Sequence, residues 1–499
     1  MHAPHRRHLG SFPSSGNPGE GQGGGFAAEG PVQPQNTRPL TLTLSPSTTR
    51  LSSSKSGRGK NSPEARRPPR TLCRKLWRGE ILLLAFIATL VIGNFFVSAD
   101  RSVGRNMLGH DFTAFYAAGH FADLRQFDKL YDIQAVKDFE QATGRAAGLT
   151  LGNSYGPFWN PPFYAWVFAP LAKLPYGQAL LTWTLINVAC LLVAVVLLCR
   201  MLGSKHARHW LLVPFLILTS MPLLQALSHG QNTCTSLLLL TVMVTCWRSG
   251  RGWAAGLVGG LLFYKPQLAA VVTAVMVLDM GLAPLLGLAI TGSALLAITV
   301  FTMPGALAVF LHKLPANLRF MQIEHPYVWE RHATLKAFWR LLLQGRGAAE
   351  PLGIVTALYV IGGGILALML LRKLRSGQRD RLIIATIVTM PLLMPFYFDY
   401  DLMLLAIPAV LFAAEQLRTP NKNADRWTVR LWITLYLWML INPGLAASTH
   451  INLTVPLLTT LAVLLLCGTH SIITPSSCHT LILSSPRRPR RMPPCPALG

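Results

Sequence analysis

The residues best suited to chemistry follow the first long apolar run. Gly109-His110-Asp111-Phe112-Thr113-Ala114-Phe115-Tyr116 sets one acid among apolar and aromatic neighbours. A carboxylate there can take a proton from a substrate hydroxyl, and partial burial would move its pKa toward the range a general base needs. The same pattern fits a helix N-cap, and the two roles are compatible because a base needs a rigid mount. Lys265 sits in an apolar stretch with no nearby acid, where a cation is costly unless paired. A phosphate would be a suitable partner, and a snorkelling lysine at a hairpin tip is the structural alternative. Gly230-Gln231-Asn232 can hydrogen-bond a sugar or phosphate, or simply turn between two spans. Arg331 and His332 are the best-placed cations for a leaving phosphate. Gln231 joins Lys265, Arg331 and His332 as donor-binding candidates. His110, Tyr116, Tyr131, Asn160 and Asn232 are the candidates for acceptor or sugar binding. The His and Glu residues between 324 and 332 match no HExxH spacing, so no metal site is expected. Asp399 and Asp401 read mainly as caps of a turn.

These residues are carried by a membrane protein. The 499 residues are 51% hydrophobic and only 13% charged, well below the share of about 25% charged typical of soluble domains. Apolar runs of about 17–23 residues, enough to cross a bilayer as helices, alternate with short polar breaks. The net charge of +25 sits in the N-terminal tail, short loops and the C-terminus. That distribution follows the positive-inside rule and argues against nucleic acid as a partner. The eight cysteines form no CxxC pair, which excludes the usual zinc and redox motifs.

The expected class is an all-α polytopic membrane protein with about twelve transmembrane segments and both termini cytoplasmic. Residues 1–78 read as a disordered basic tail, 79–470 as the multi-span domain and 471–499 as a second basic tail. The first span is expected near 80–98, followed by a long outer loop, 99–176, with amphipathic pieces at 112–124 and 133–142. Two short apolar pieces, 253–264 and 267–281, are split by Lys265-Pro266 and suggest a broken hairpin. A second outer loop covers 312–350. This topology gathers the distinctive polar residues on the outer face and leaves mostly topogenic Lys and Arg inside.

From His110 onward the order of motifs resembles glycosyltransferase family 87, a group of mannosyltransferase-like membrane proteins with the GT-C fold. The resemblance rests on Asp111-Phe112-Thr113-Ala114-Phe115-Tyr116-Ala117-Ala118-Gly119, Leu130-Tyr131-Asp132 and Trp159-Asn160-Pro161-Pro162-Phe163. It continues through Pro170-Leu171-Ala172-Lys173-Leu174-Pro175, Trp183, Gly230-Gln231-Asn232, Gly256 and Lys265-Pro266. It covers about residues 80–415. Asn160 stands where members often carry Tyr, which departs from the pattern. The resemblance implies a GT-C-like fold and a transferase using a polyprenyl-phosphate sugar, typically mannose, with no further cofactor. It makes Asp111 the general base and His332 the nearest match to a functional histidine of a later loop. The implied partners are the lipid-linked donor, a glycan or glycolipid acceptor and membrane lipid, at a multi-pass bacterial plasma-membrane site facing outward. The rival readings are a secondary transporter, for which Lys265 at a broken helix would be a substrate or ion site, and a non-catalytic scaffold of envelope assembly.

Overall fold

The computed structural model describes residues 109–149, 156–203, 209–418 and 426–467. The segment expected to span first, 80–98, and both basic tails lie outside the described residues. Among the described residues the chain is helical, apart from one antiparallel bridge between His332 and Phe398.

Five of these helices are long and apolar enough to cross a membrane, or six if the bent pair Leu212–Leu218 and Met221–His229 is one span. Other apolar segments form helices shorter than a full span, so among the described residues five or six full spans are seen where about twelve segments were expected. In chain order, α1 (Phe112–Asp123) and α2 (Ile133–Ala146) precede the short α3 (Ala165–Ala172) and the long α4 (Tyr176–Leu202). Then come α5 (Leu212–Leu218), α6 (Met221–His229), α7 (Thr233–Arg248), α8 (Gly252–Leu261), α9 (Pro266–Met280) and α10 (Leu282–Thr302). The second loop is largely helical, with α11 (Ala306–Arg319) and α12 (Leu335–Gln344). The chain continues through α13 (Gly353–Leu374), α14 (Arg379–Leu393), α15 (Ala406–Arg418), α16 (Arg426–Thr449) and α17 (Thr454–Cys467).

The expected break at Lys265-Pro266 is where α8 and its 3-10 extension Leu262–Tyr264 stop and α9 starts. Pro266 is at the first turn of α9, where its missing N–H costs nothing. The hairpin is pressed against α10 through a row of glycines. Gly252, Gly256 and Gly260 recur every fourth residue and so share one face of α8. A Cβ at Gly256 would overlap the Pro284 carbonyl, one at Gly260 would meet Thr291, and one at Gly287 would overlap the Trp253 carbonyl. Without side chains between them the two backbones touch, as small-residue helix pairs do in membranes.

One expectation about the first loop is overturned. Residues 112–124 do form a helix, but not one lying on a surface. Nine of the twelve residues of α1 are buried, among them Phe112, Phe115, Ala118 and Ala122. The physical reason is its run of small residues: Gly119 lets the Phe168 backbone of α3 come into contact. Rings fill the rest, with Phe115 stacked on Phe168 at 4.8 Å and Phe112 on Trp183 at 6.4 Å. Such pairs add about 0.5–1.5 kcal/mol each beyond area burial. By contrast α2 is amphipathic, burying Val136, Glu140 and Gly144 at four-residue spacing.

Candidate active site

Asp111 occupies the position ahead of α1, but its side chain caps nothing. The carboxylate turns away from its own helix and is held by three other side chains. Gln231 Nε2 donates to Oδ2 at 2.8 Å, His229 Nδ1 lies 3.2 Å from the same oxygen, and His110 Nδ1 lies 3.3 Å from Oδ1. The N-cap reading is therefore wrong for this side chain.

The mount is a backbone lock between two glycine turns. Gly109 N donates to Ser228 O at 2.8 Å and Asp111 N to His229 O at 3.1 Å. Gly109 and Gly230 both have positive φ, +77° and +71°, a conformation that favours glycine. A Cβ on Gly230 would sit 2.7 Å from that of Phe112. Tyr176 donates to Gly109 O at 2.7 Å and Trp183 Nε1 to Gly230 O at 2.9 Å. The turn reading of Gly230-Gln231-Asn232 holds, with Gly230 making the turn, while Gln231 bonds Asp111 and Asn232 the Tyr164 hydroxyl.

Burial alone would raise the Asp111 pKa. His229 and His110 outweigh it and hold the carboxyl well below the ordinary range. The hydrogen bond to Asp111, working against burial, raises His110 in turn. Asp111 is thus ionised at neutral pH, with Gln231 bonded to Oδ2, His110 to Oδ1, and His229 close by at 3.2 Å.

Across the site stands the 3-10 turn Asp399–Leu405. Arg331 Nη2 and Nε reach Asp399 at 3.1 and 3.4 Å, and Gln225 Nε2 donates to its Oδ2 at 2.9 Å. The guanidinium also lies over the rings of Phe398 and Tyr400, at 5.8 and 5.7 Å. Burial works against its charge, but Asp399 and Asp111 outweigh it and raise the pKa. An ionised acid and a fixed cation thus face one another in a helical, apolar chain.

Residues 158–395 match glycosyltransferase family 87. The match bears out the resemblance drawn from the motifs and, with the apolar helices, supports a membrane glycosyltransferase. No curated protein and no solved structure matches it. The family 87 match takes in Asn160, Gln231, Asn232, Lys265, Arg331 and His332, and stops short of Asp111 on one side and Asp399 on the other.

Several expectations about single residues change. Lys265 has an acid beside it: Nζ lies 3.2 and 3.3 Å from the Asp401 carboxylate, which also accepts from Thr233 at 3.0 Å. The pair is buried, and the ammonium sits 5.1 Å from the centre of the Tyr400 ring. Its partner is 136 residues away in sequence. His332 is not the cation expected. It is fully buried against Tyr327 and Phe398, and burial pushes its pKa down to about 3. Its Nε2 pairs with the Tyr327 hydroxyl at 3.0 Å.

Four of the acceptor candidates bind the fold instead. Tyr116 donates to Leu174 O at 2.8 Å, and Tyr131 to Asn160 O at 2.8 Å. Asn160 donates to Tyr264 O at 2.7 Å, and Asn232 to the Tyr164 hydroxyl at 3.2 Å. Asn160 and Asn232 are buried, so these bonds tie the first loop to α7 and to the Lys265 break. His110 alone of that group touches Asp111. The structure adds Gln225 and Glu140, which no sequence signal marks, and gives site contacts to His229, the neighbour of Gly230, and to Asp399, read from sequence as a turn cap.

Proposed function

We propose that this family 87 protein transfers a hexose, mannose by family habit, from a polyprenyl-phosphate donor to an acceptor hydroxyl on the outer membrane face. The observation that carries the reading is the Asp111 carboxylate: ionised, unused by its own helix, and clamped between His110, His229 and Gln231. In the proposed step the acceptor oxygen attacks the anomeric carbon from the face opposite the phosphate, and its proton passes to the Asp111 carboxylate. The bond from that carbon to the phosphate oxygen breaks, its electron pair leaves on the phosphate, and the sugar is inverted. Arg331 is the cation assigned to the phosphate, because it is partly exposed while Lys265 is committed to Asp401. Lys265 acts through Asp401 and Tyr400 by fixing the floor on which Arg331 lies.

A depressed carboxylate is a weak base, which suits a late proton transfer. The acceptor hydroxyl becomes strongly acidic only as its bond to the sugar forms. An apolar cavity of about 490 Å³ is the proposed seat of the prenyl chain. Its lining includes Ile217, Pro222, Leu402, Met403, Ala409 and Tyr436, so it shares α6 and the Asp399–Leu405 turn with the polar site. A transporter would need a polar cavity between matching halves, whereas this one is apolar and only shares two elements with the polar site.

The test is D111N in membranes supplied with labelled polyprenyl-phosphate mannose. General-base help is worth about two to four decades in rate, and a loss of that size is expected with protein level unchanged. Activity close to wild type would remove Asp111 from the role.

A further inference from the structure

Beneath Asp111 lies a second carboxyl that the transfer step does not use. Glu140, on the buried face of α2, has no solvent exposure. Its Oε2 accepts from Gly156 N at 2.9 Å, and its Oε1 has no hydrogen-bond partner among the described residues. No cation pairs with it among the described residues. Thr113, in the first turn of α1, lies beside it, and Gly156 itself packs toward Ala114 of the same turn. Thr113 spends its single proton on His110 O, at 2.7 Å.

We infer that Glu140 is a positioning residue of the Asp111 site, an uncharged acid that joins the segment at Gly156 to the turn carrying His110 and Asp111. An ionised carboxyl there would lack both water and a cation, which is costly in a buried site. It would also set a second negative charge close to the one the transfer needs. The titratable groups that act on Glu140 are His110 and Asp111, from the segment ahead of α1. Tyr176, at the start of α4, feels both Glu140 and Asp111. On α2 itself Asp138 is exposed and held by Gln134, Arg145 is exposed and Lys137 is half-buried. Burial raises the Glu140 pKa from 4.5 to about 8, against the Gly156 hydrogen bond. The neutral form therefore prevails at neutral pH, and alkali charges the group.

The inference rests on Asp111 being the base, so its test has one arm that needs no transfer. Purified full-length protein is compared with E140Q and E140A. In the unfolding arm, a group with a folded pKa above its unfolded one favours folding most below about 4.5, and that advantage is gone once pH passes about 8. The unfolding temperature of wild type should fall across that window by several degrees more than that of E140Q. Equal slopes would overturn the uncharged acid whether or not the protein transfers sugar. In the activity arm, E140A should lower kcat by about tenfold or more with little change in donor KM. E140Q should recover most of that loss and abolish the decline that wild type shows as pH rises through about 8. An alkaline limb kept by E140Q, or a wild-type kcat in E140A, would overturn the positioning role. Transfer absent from wild type as well would count against the Asp111 reading and leave the unfolding arm to decide for Glu140.

Discussion

At the scale of single residues, the site turns on which charges are free to act. Three cations were candidates for the leaving phosphate, and the structure separates them by environment. His332 is neutral because it is buried without an acid partner, and Lys265 is neutralised by Asp401. Arg331 keeps its charge and part of its surface, although Asp399 takes two of its nitrogens. Removing one preorganised donor from a developing anion costs about 100- to 1,000-fold in kcat, and R331A should fall in that range. R331K should recover little, since an ammonium cannot grip Asp399 with two nitrogens and lie flat over Phe398 and Tyr400 together. Steady-state kinetics with labelled donor reads both, and an R331K enzyme with wild-type kcat would move the phosphate elsewhere. The pH profile supplies a second check. Asp111, with its depressed pKa, is ionised down to below the ordinary carboxylate range, and its contribution to folding is lost only as pH falls through that low value. His332, with a pKa of about 3, contributes no limb between pH 5 and 8. A limb above the ordinary imidazole range is expected from His110, whose hydrogen bond to Asp111 raises its pKa, and should vanish in H110Q.

At the scale of elements, what the sequence reveals depends on how far apart the interacting residues lie. The helices α4, α7, α9, α10, α13 and α16 fall close to the apolar runs, because length and hydropathy along one segment decide them. The break at Lys265-Pro266 is also local, since proline ends one helix and starts another. The partner of Lys265 is not local, nor is that of Arg331. Each is an aspartate of the Asp399–Leu405 turn, which sequence alone reads as a cap. Glu140 is silent in sequence because an acid on an amphipathic helix ordinarily faces water. The glycine row of α8 is legible in principle, its four-residue spacing being printed in the chain, but its partner helix is not. That row makes a prediction. G256L forces a branched side chain into the Pro284 backbone, and overpacking of this kind costs about 1–3 kcal/mol or more. The variant should unfold several degrees lower in detergent, by fluorescence or aggregation onset, and lose transfer because the Lys265 break hangs from α8. G292A, with open space around its Cβ, is the control and should match wild type.

At the scale of the whole molecule, the polar site and the apolar cavity are two sides of one partition. The turn Asp399–Leu405 presents Asp399 and Asp401 to the cations at one end and Leu402, Met403 and Leu405 to the cavity at the other. Helix α6 repeats the division, with Pro222 lining the cavity and Gln225 and His229 in the site. A donor whose phosphate meets Arg331 can therefore lay its chain along the same two elements without crossing a polar layer. This arrangement makes chain length and chemistry separable. Filling the cavity with A409W should weaken a long-chain donor while sparing one whose prenyl tail is too short to enter. Losing about 50–60 Å² of apolar contact at roughly 25 cal/mol per Å² amounts to about 1.4 kcal/mol, close to tenfold in KM for the long donor. The kcat at saturation should hold, because none of the groups that hold Asp111 is on α15, the helix of Ala409. Equal losses for the two donors would mean that the tryptophan distorts the site through the Asp399–Leu405 turn. An unchanged KM for both would place the chain outside this cavity and leave the Asp111–Arg331 chemistry to be supplied from another side of the bundle.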